Sequence, residues 1–153
     1  MLTSMDAVEG ATVADLFAGS GALGIEALSR GATMATFVET DRHAVEMIRV
    51  NLEVLGDPAP EVRVVRADAV AFASSMGRHD LVLADPPYAF DGWAALLGAL
   101  ATRAGLLVAE TAGGWHPGPA WQAVRVKRYG DTLVTVARPA EVTIAPVHRE
   151  GER

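Results

Sequence analysis

Strand-length apolar runs alternate with helix-length stretches from Thr12 to Glu110, and no other feature constrains the fold as tightly. "TVADLF" (12–17), "TMATFVE" (33–39), "EVRVVR" (61–66), "HDLVLA" (79–84) and "AGLLVAE" (104–110) are short and aliphatic, as strands are. "ALGIEALSRG" (22–31) and "DRHAVEMIRVNLEVLG" (41–56) read as helices; the second sets Ala44, Val45, Ile48, Leu52 and Leu55 on one stripe. Asp41 is its expected N-cap, and Gly31 and Gly56 are the expected stops. A short helix over 69–76 and a longer one over 91–102 complete the repeat. Strands separated by helices pair in parallel, with right-handed crossovers that cover both faces of the sheet. The pattern changes after "TAGGWHPGPA" (111–120), a Gly/Pro-rich loop. "WQAVRVKRYGDTLVTVAR" (121–138) reads as two strands joined at a tight "YGDT" turn, so an α/β domain with a mostly parallel seven-stranded sheet should end in an antiparallel hairpin.

Length allows one domain, expected over 1–138, with 139–153 as an irregular tail. No apolar run reaches the roughly 18 residues of a membrane span, and the start lacks the basic-then-apolar pattern of a signal peptide. A cytoplasmic protein without membrane contact is expected. The absence of cysteine excludes disulfides and thiolate nucleophiles, and His43, His79, His116 and His148 lack ligand spacing, so no metal is expected either. A net charge of −6 argues against a basic coat for indiscriminate nucleic-acid binding. The acidic excess is confined to residues 1–76, with 11 acids against 5 Lys and Arg; residues 77–153 hold 8 of each. Arg125, Lys127 and Arg128 are the candidate for a local basic face.

"DLFAGSGALG" sets Gly19, Gly21 and Gly24 at G-x-G-x-x-G spacing between a strand and a helix, where the backbone can approach a ligand and unpaired N–H groups face it. Dinucleotide-binding folds use the same spacing with an acid about 20 residues on for the ribose hydroxyls, and Glu39 lies twenty after Gly19. Asp15 separates the readings: its charge would repel a pyrophosphate but attract the ammonium group of a methionine moiety. Asp68, after the third strand, is expected to face an adenine amine with the N–H of Ala69 donating to the ring, or else to cap the next helix.

"LVLADPPYAF" (81–90) ends an apolar strand in Asp85, Pro86, Pro87 and Tyr88. Two prolines stop the strand and stiffen the turn, holding a carboxylate, backbone carbonyls and an aromatic ring in one array. Nicotinamide chemistry has no use for that array. Trp93, Trp115 and Trp121 are expected to pack in the core or loops, with Trp115 placed where it can border the site.

In this order and spacing, "DLFAGSGALGIEALSRGA", "FVETD", "NLEVLG", "ADA", "LVLADPPY" and "YGDT" resemble the RsmD family of 16S rRNA guanine-N2 methyltransferases over roughly 8–136. The resemblance implies a Rossmann-like class I methyltransferase domain using S-adenosyl-L-methionine. Asp15, Gly19, Gly21, Gly24, Glu39, Asp68 and Ala69 would hold that cofactor. Asp85, Pro86, Pro87 and Tyr88 would receive a guanine of ribosomal RNA in the small ribosomal subunit. Alternatives are an amino-methyltransferase of adenine or cytosine in DNA, a protein glutamine N5-methyltransferase, or an inactive cofactor-binding or assembly partner. Family members carry an "RPT…RE" segment before the glycine loop; here 14 residues precede Asp15, and "MLTSMDAVEG" resembles only the end of that segment. Oligomeric state is not legible.

Overall fold

The computed structural model describes residues 7–56 and 60–141. His148, most of the expected tail and the first six residues lie outside that range. Seven strands form one sheet: β1 (Thr12–Asp15), β2 (Met34–Glu39), β3 (Glu61–Arg66), β4 (His79–Ala84), β5 (Ala104–Ala112), β6 (Trp121–Tyr129) and β7 (Thr132–Pro139). Their order is β3-β2-β1-β4-β5-β7-β6. β1 to β5 pair in parallel, while β7 pairs antiparallel with β5 and β6 lies at the edge. The expected α/β architecture with its terminal hairpin is therefore the one observed.

The helices are α1 (Ala22–Ser29), α2 (Arg42–Leu52), α3 (Ala69–Ala73) and α4 (Trp93–Leu100), with a 3-10 turn over Glu53–Leu55. One face of the sheet packs Ala27, Leu28, Ile48 and Phe37 around Val13, Leu81 and Leu83, bringing α1 and α2 to that side. The other face packs Ala69, Ala73, Leu96, Leu97 and Leu100 around Ala14, Val82 and Leu107, bringing α3 and α4 to the opposite side. The chain thus winds outward from β1 through β2 to β3, then crosses back to β4. The crevice between β1 and β4 is a topological switch point, where open α/β sheets bind ligands beyond the carboxyl ends of their strands.

Several boundaries differ from the sequence reading. α2 ends at Leu52, and a tighter 3-10 turn carries the stripe to Leu55. α3 stops at Ala73 rather than residue 76, and α4 starts at Trp93 with Gly92 as N-cap. β5 continues to Ala112 because Thr111 and Ala112 still have ladder partners in Leu133 and Thr132 of β7. Asp41 caps α2 as expected, accepting the N–H groups of His43 at 2.7 Å and Ala44 at 3.1 Å. Gly130, at φ 61°, leads the two-residue turn of the hairpin.

Gly24 joins the two layers. It is buried in α1, and a Cβ there would clash with the edge of the Phe37 ring on β2, 2.9 Å from Cζ and closer still to Cε1. Alanine would normally gain roughly 1 kcal/mol over glycine in a helix. Here Gly24→Ala should instead lose about 1–3 kcal/mol through overpacking. Denaturant unfolding should also find that adding Phe37→Leu restores much of the loss; equal stability of Gly24→Ala and the parent would remove the packing role.

Candidate active site

Every parallel strand delivers a carboxylate to the carboxyl edge of the sheet: Asp68 after β3, Glu39 on β2, Asp15 on β1, Asp85 after β4 and Glu110 on β5. Since the strands lie in the order β3-β2-β1-β4-β5, the acids form a row in that same order. Like charges along one edge disfavour one another's ionised forms.

Asp15 is the most buried of the five, with 1% exposure. Its Oδ2 accepts the N–H of Gly24 at 3.1 Å. Gly24 is the third residue of α1, one of the early positions whose N–H has no acceptor within the helix. The N-cap is Gly21, which has no side chain to supply one. Asp15 therefore caps α1 from the end of the neighbouring strand. Burial pushes its carboxyl up to about 7; the Gly24 hydrogen bond opposes this, and the charges of Asp85 and Glu39 add to it.

The glycine loop has three glycines with distinct tasks. Gly19 has φ 56° and nothing within 4 Å of a Cβ position, so its backbone faces open space in a conformation that side chains resist. Gly21 has φ 84° and lies against Ile48 and Phe37. Gly24 answers to the helix–sheet packing described above. Asn51 Nδ2 ties the loop to α2 by donating to the carbonyl of Ser20 at 2.8 Å.

Glu39 Oε2 accepts the N–H of Thr40 at 2.8 Å, holding the carboxylate at the strand end. Asp68 caps α3: its Oδ2 accepts the N–H of Ala71 at 2.9 Å. The capping reading of Asp68 is thus observed, and the N–H of Ala69 stands in the first turn beside it.

Asp85, Pro86, Pro87 and Tyr88 line a cleft of about 570 Å³ together with Glu110, Thr111 and the Gly113–Trp115 segment. Tyr88 is 82% exposed, so its ring is available for stacking. Asp85 is exposed, yet the protein beneath it pushes its carboxyl up through desolvation. Burial first, and the charge of Asp85 second, push the carboxyl of Glu110 up. A chain of ring contacts walls the cleft: Phe17 to Phe90 at 5.1 Å, Phe90 to Trp93 at 5.4 Å and Trp93 to Trp115 at 4.8 Å between centroids. Trp115 borders the site, and so does Trp93, for which the sequence suggested only packing. Trp121 is core, as expected, at 5% exposure.

The sequence reading missed Glu110. The signal was present, because each parallel strand runs from apolar residues into an acid: "VAD", "FVE", "VVRAD", "VLAD" and "VAE". The basic cluster lies on β6, where Lys127 sits 5.0 Å above the ring of Tyr129 and the Arg128 guanidinium approaches Gly113. Among the described residues no group of His, Cys, Asp and Glu has the arrangement of a metal site.

The pH response of Asp15 is specific. Its folded-state value is raised, so the stability it contributes is complete below the unfolded value of 3.8 and is lost as pH rises through about 7. The loss amounts to roughly 4 kcal/mol. Asp15→Asn keeps an acceptor for the Gly24 N–H and removes the charge. In urea unfolding from pH 4 to 8 the parent should lose distinctly more stability than the variant, in which the raised carboxyls of Asp85 and Glu110 remain; parallel curves would contradict the burial of a titrating Asp15.

A family model described as conserved hypothetical protein 95 matches residues 1–138. The ribosomal RNA small subunit methyltransferase D of Escherichia coli (strain K12) is 47% identical over 75 residues, which cover 48% of this chain and 37% of that protein. Its counterpart in Haemophilus influenzae is 36% identical over 80 residues, covering 50% and 42%. The match thus spans well under two thirds of these relatives' length. Among solved structures, the yhhF protein of Escherichia coli superposes with a TM-score of 0.77 at 31% identity, covering 92% of this chain and 81% of that one. TrmN of Thermus thermophilus shares the fold, with a TM-score of 0.73 at 23% identity over 91% of this chain and 47% of its own.

Proposed function

This chain belongs to the RsmD family, described as conserved hypothetical protein 95, and from that premise we propose that it methylates the exocyclic amine of a nucleobase, guanine N2 in small-subunit ribosomal RNA, using S-adenosyl-L-methionine. The observation that carries the reading is the row of carboxylates along the carboxyl edge, with the array of Asp85 to Tyr88 beside the switch point. Such a row repels the pyrophosphate of a dinucleotide and favours a ligand bearing positive charge. The residues fit S-adenosyl-L-methionine, which carries an ammonium and a sulfonium. When bound, this cofactor supplies an electrophilic methyl group.

The chain's own residues would do the rest. The backbone at Gly19 and Gly21 would lie against the methionine moiety, with the charge of Asp15 behind the loop. Glu39 would accept from the ribose hydroxyls, and Asp68 with the N–H of Ala69 would meet the adenine. A guanine amine is a weak nucleophile because its lone pair is delocalised into the ring. Asp85 and the carbonyl of Pro86 would accept its two N–H groups, turning the lone pair toward the methyl carbon, while Tyr88 stacks on the extruded base. With the methyl group supplied by the bound cofactor, Asp85 would take up the proton that the nitrogen sheds on methylation. A raised carboxyl value suits that acceptor role. The protein would work in the cytoplasm, where ribosomal subunits are assembled.

Calorimetry should find that Glu39→Ala weakens cofactor binding about 10- to 100-fold, as loss of a charged hydrogen bond does. Asp85→Ala should lower methyl transfer by about 10²- to 10³-fold while leaving cofactor affinity nearly intact; equal losses of both would reassign Asp85. Incubation of methyl-labelled cofactor with small subunits, naked rRNA and duplex DNA, followed by nucleoside analysis, should yield N2-methylguanosine. Labelled adenine, cytosine or protein would replace the guanine reading.

A further inference from the structure

Glu110 has no part in the function just derived, yet it stands beside the residue that does most. β4 and β5 are parallel neighbours whose ladder ends with Ala84 opposite Ala109; Asp85 follows directly after β4 and Glu110 directly after Ala109, so the two acids stand side by side where the ladder ends. Neighbouring strands are about 4.8 Å apart, and residues opposite each other project to the same face. Both carboxylates line the aromatic-walled cleft, and Glu110 also borders a smaller cavity with Tyr129, Thr132 and Val134. Its Oε1 is buried and has no hydrogen-bond partner among the described residues. A buried acceptor without a donor carries the cost of lost hydration, so native proteins rarely retain one without a use.

Guanine differs from its rivals in what stands next to the exocyclic amine. Its edge offers three donors in one plane, two on N2 and one on N1. Adenine and cytosine offer an amine next to a ring nitrogen that carries a lone pair. A pair of carboxylates side by side, each able only to accept when ionised, matches the first edge and opposes the second.

We propose that Glu110 is the specificity residue of the cleft, accepting the N1–H of guanine through its carboxylate while Asp85 and the Pro86 carbonyl hold the N2 amine. The proposal rests on the methyltransferase reading and adds the reason that such an enzyme takes guanine. The part of its carboxylate that lines the cleft would take the donor that only the correct base presents there. A base with a lone pair at that point leaves Glu110 unpartnered and faces its charge, a form of rejection stronger than a change of shape alone.

The test replaces the target guanine, once located by nucleoside analysis, with 2-aminopurine in the same rRNA. This base keeps the amine but presents a lone pair at N1. The parent enzyme should prefer guanine at least tenfold in kcat/KM. Glu110→Gln can turn its amide donor toward N1, so it should lower guanine transfer, raise 2-aminopurine transfer and shrink the preference at least tenfold. Glu110→Ala should lower guanine transfer with no gain on 2-aminopurine. Cofactor affinity should match the parent in both variants, and neither should melt below it. A preference unchanged in Glu110→Gln, or equal use of the two bases by the parent, overturns the role of Glu110 while leaving the methyltransferase reading intact. Transfer by the parent to another base or to protein alone overturns the role of Glu110 with the guanine reading, and no transfer to any acceptor overturns the methyltransferase reading as well.

Discussion

The hydrogen bond from the Gly24 N–H to the buried carboxylate of Asp15 fastens the first helix to the central strand, and the geometry of the ligand edge follows from it. A glycine loop that must bend through left-handed positions at Gly19 and Gly21 cannot also carry a capping side chain at its end. The strand supplies the acceptor instead. With α1 held in this way, Phe37 can occupy the space where Gly24 has no Cβ, and the loop between them is held from below by Asp15 and from the side by Asn51. A carboxylate is a costly anchor when buried, and its raised pKa measures that cost.

The same cost is distributed along the edge. Asp85 and Glu39 oppose the ionisation of Asp15, and Asp85 opposes that of Glu110. Asp15 and Glu110 are therefore less comfortable with their charges because of their neighbours. On the proposed reading, a cationic ligand over the middle of the row and N–H donors at its β4–β5 end would relieve this repulsion together. Cofactor and base recognition on this reading draw on one electrostatic feature. The rings of Phe90, Trp93 and Trp115, backed by Phe17, line the cleft at the β4–β5 end of the row, and such an apolar lining would strengthen polar contacts made inside it.

Most of the architecture was legible in the sequence because strand and helix periods are local properties. The five parallel strands, the hairpin and the Asp41 cap all came from short-range patterns. Boundaries were less legible: β5 extends to Ala112 only because β7 lies alongside to pair with it, which no pattern in residues 104–112 foretells. Asp68 left two readings open in the sequence, and its Oδ2 contact with Ala71 makes the cap a fact while its adenine role stays a proposal. Trp93 resembled any core tryptophan, since a side chain half in the core and half in a cleft has no distinctive local spacing.

Glu110 marks the division most clearly. The sequence by itself determined that this chain forms a parallel α/β sheet, that a glycine loop follows its first strand and that a rigid Asp-Pro-Pro-Tyr turn follows its fourth. It also determined that acids end the strands, since that is a matter of residue order. Which acids become neighbours was decided only by the tertiary structure. Asp85 and Glu110 are 25 residues apart in the chain but side by side in space, because a parallel crossover returns each strand next to its partner and aligns their carboxyl ends.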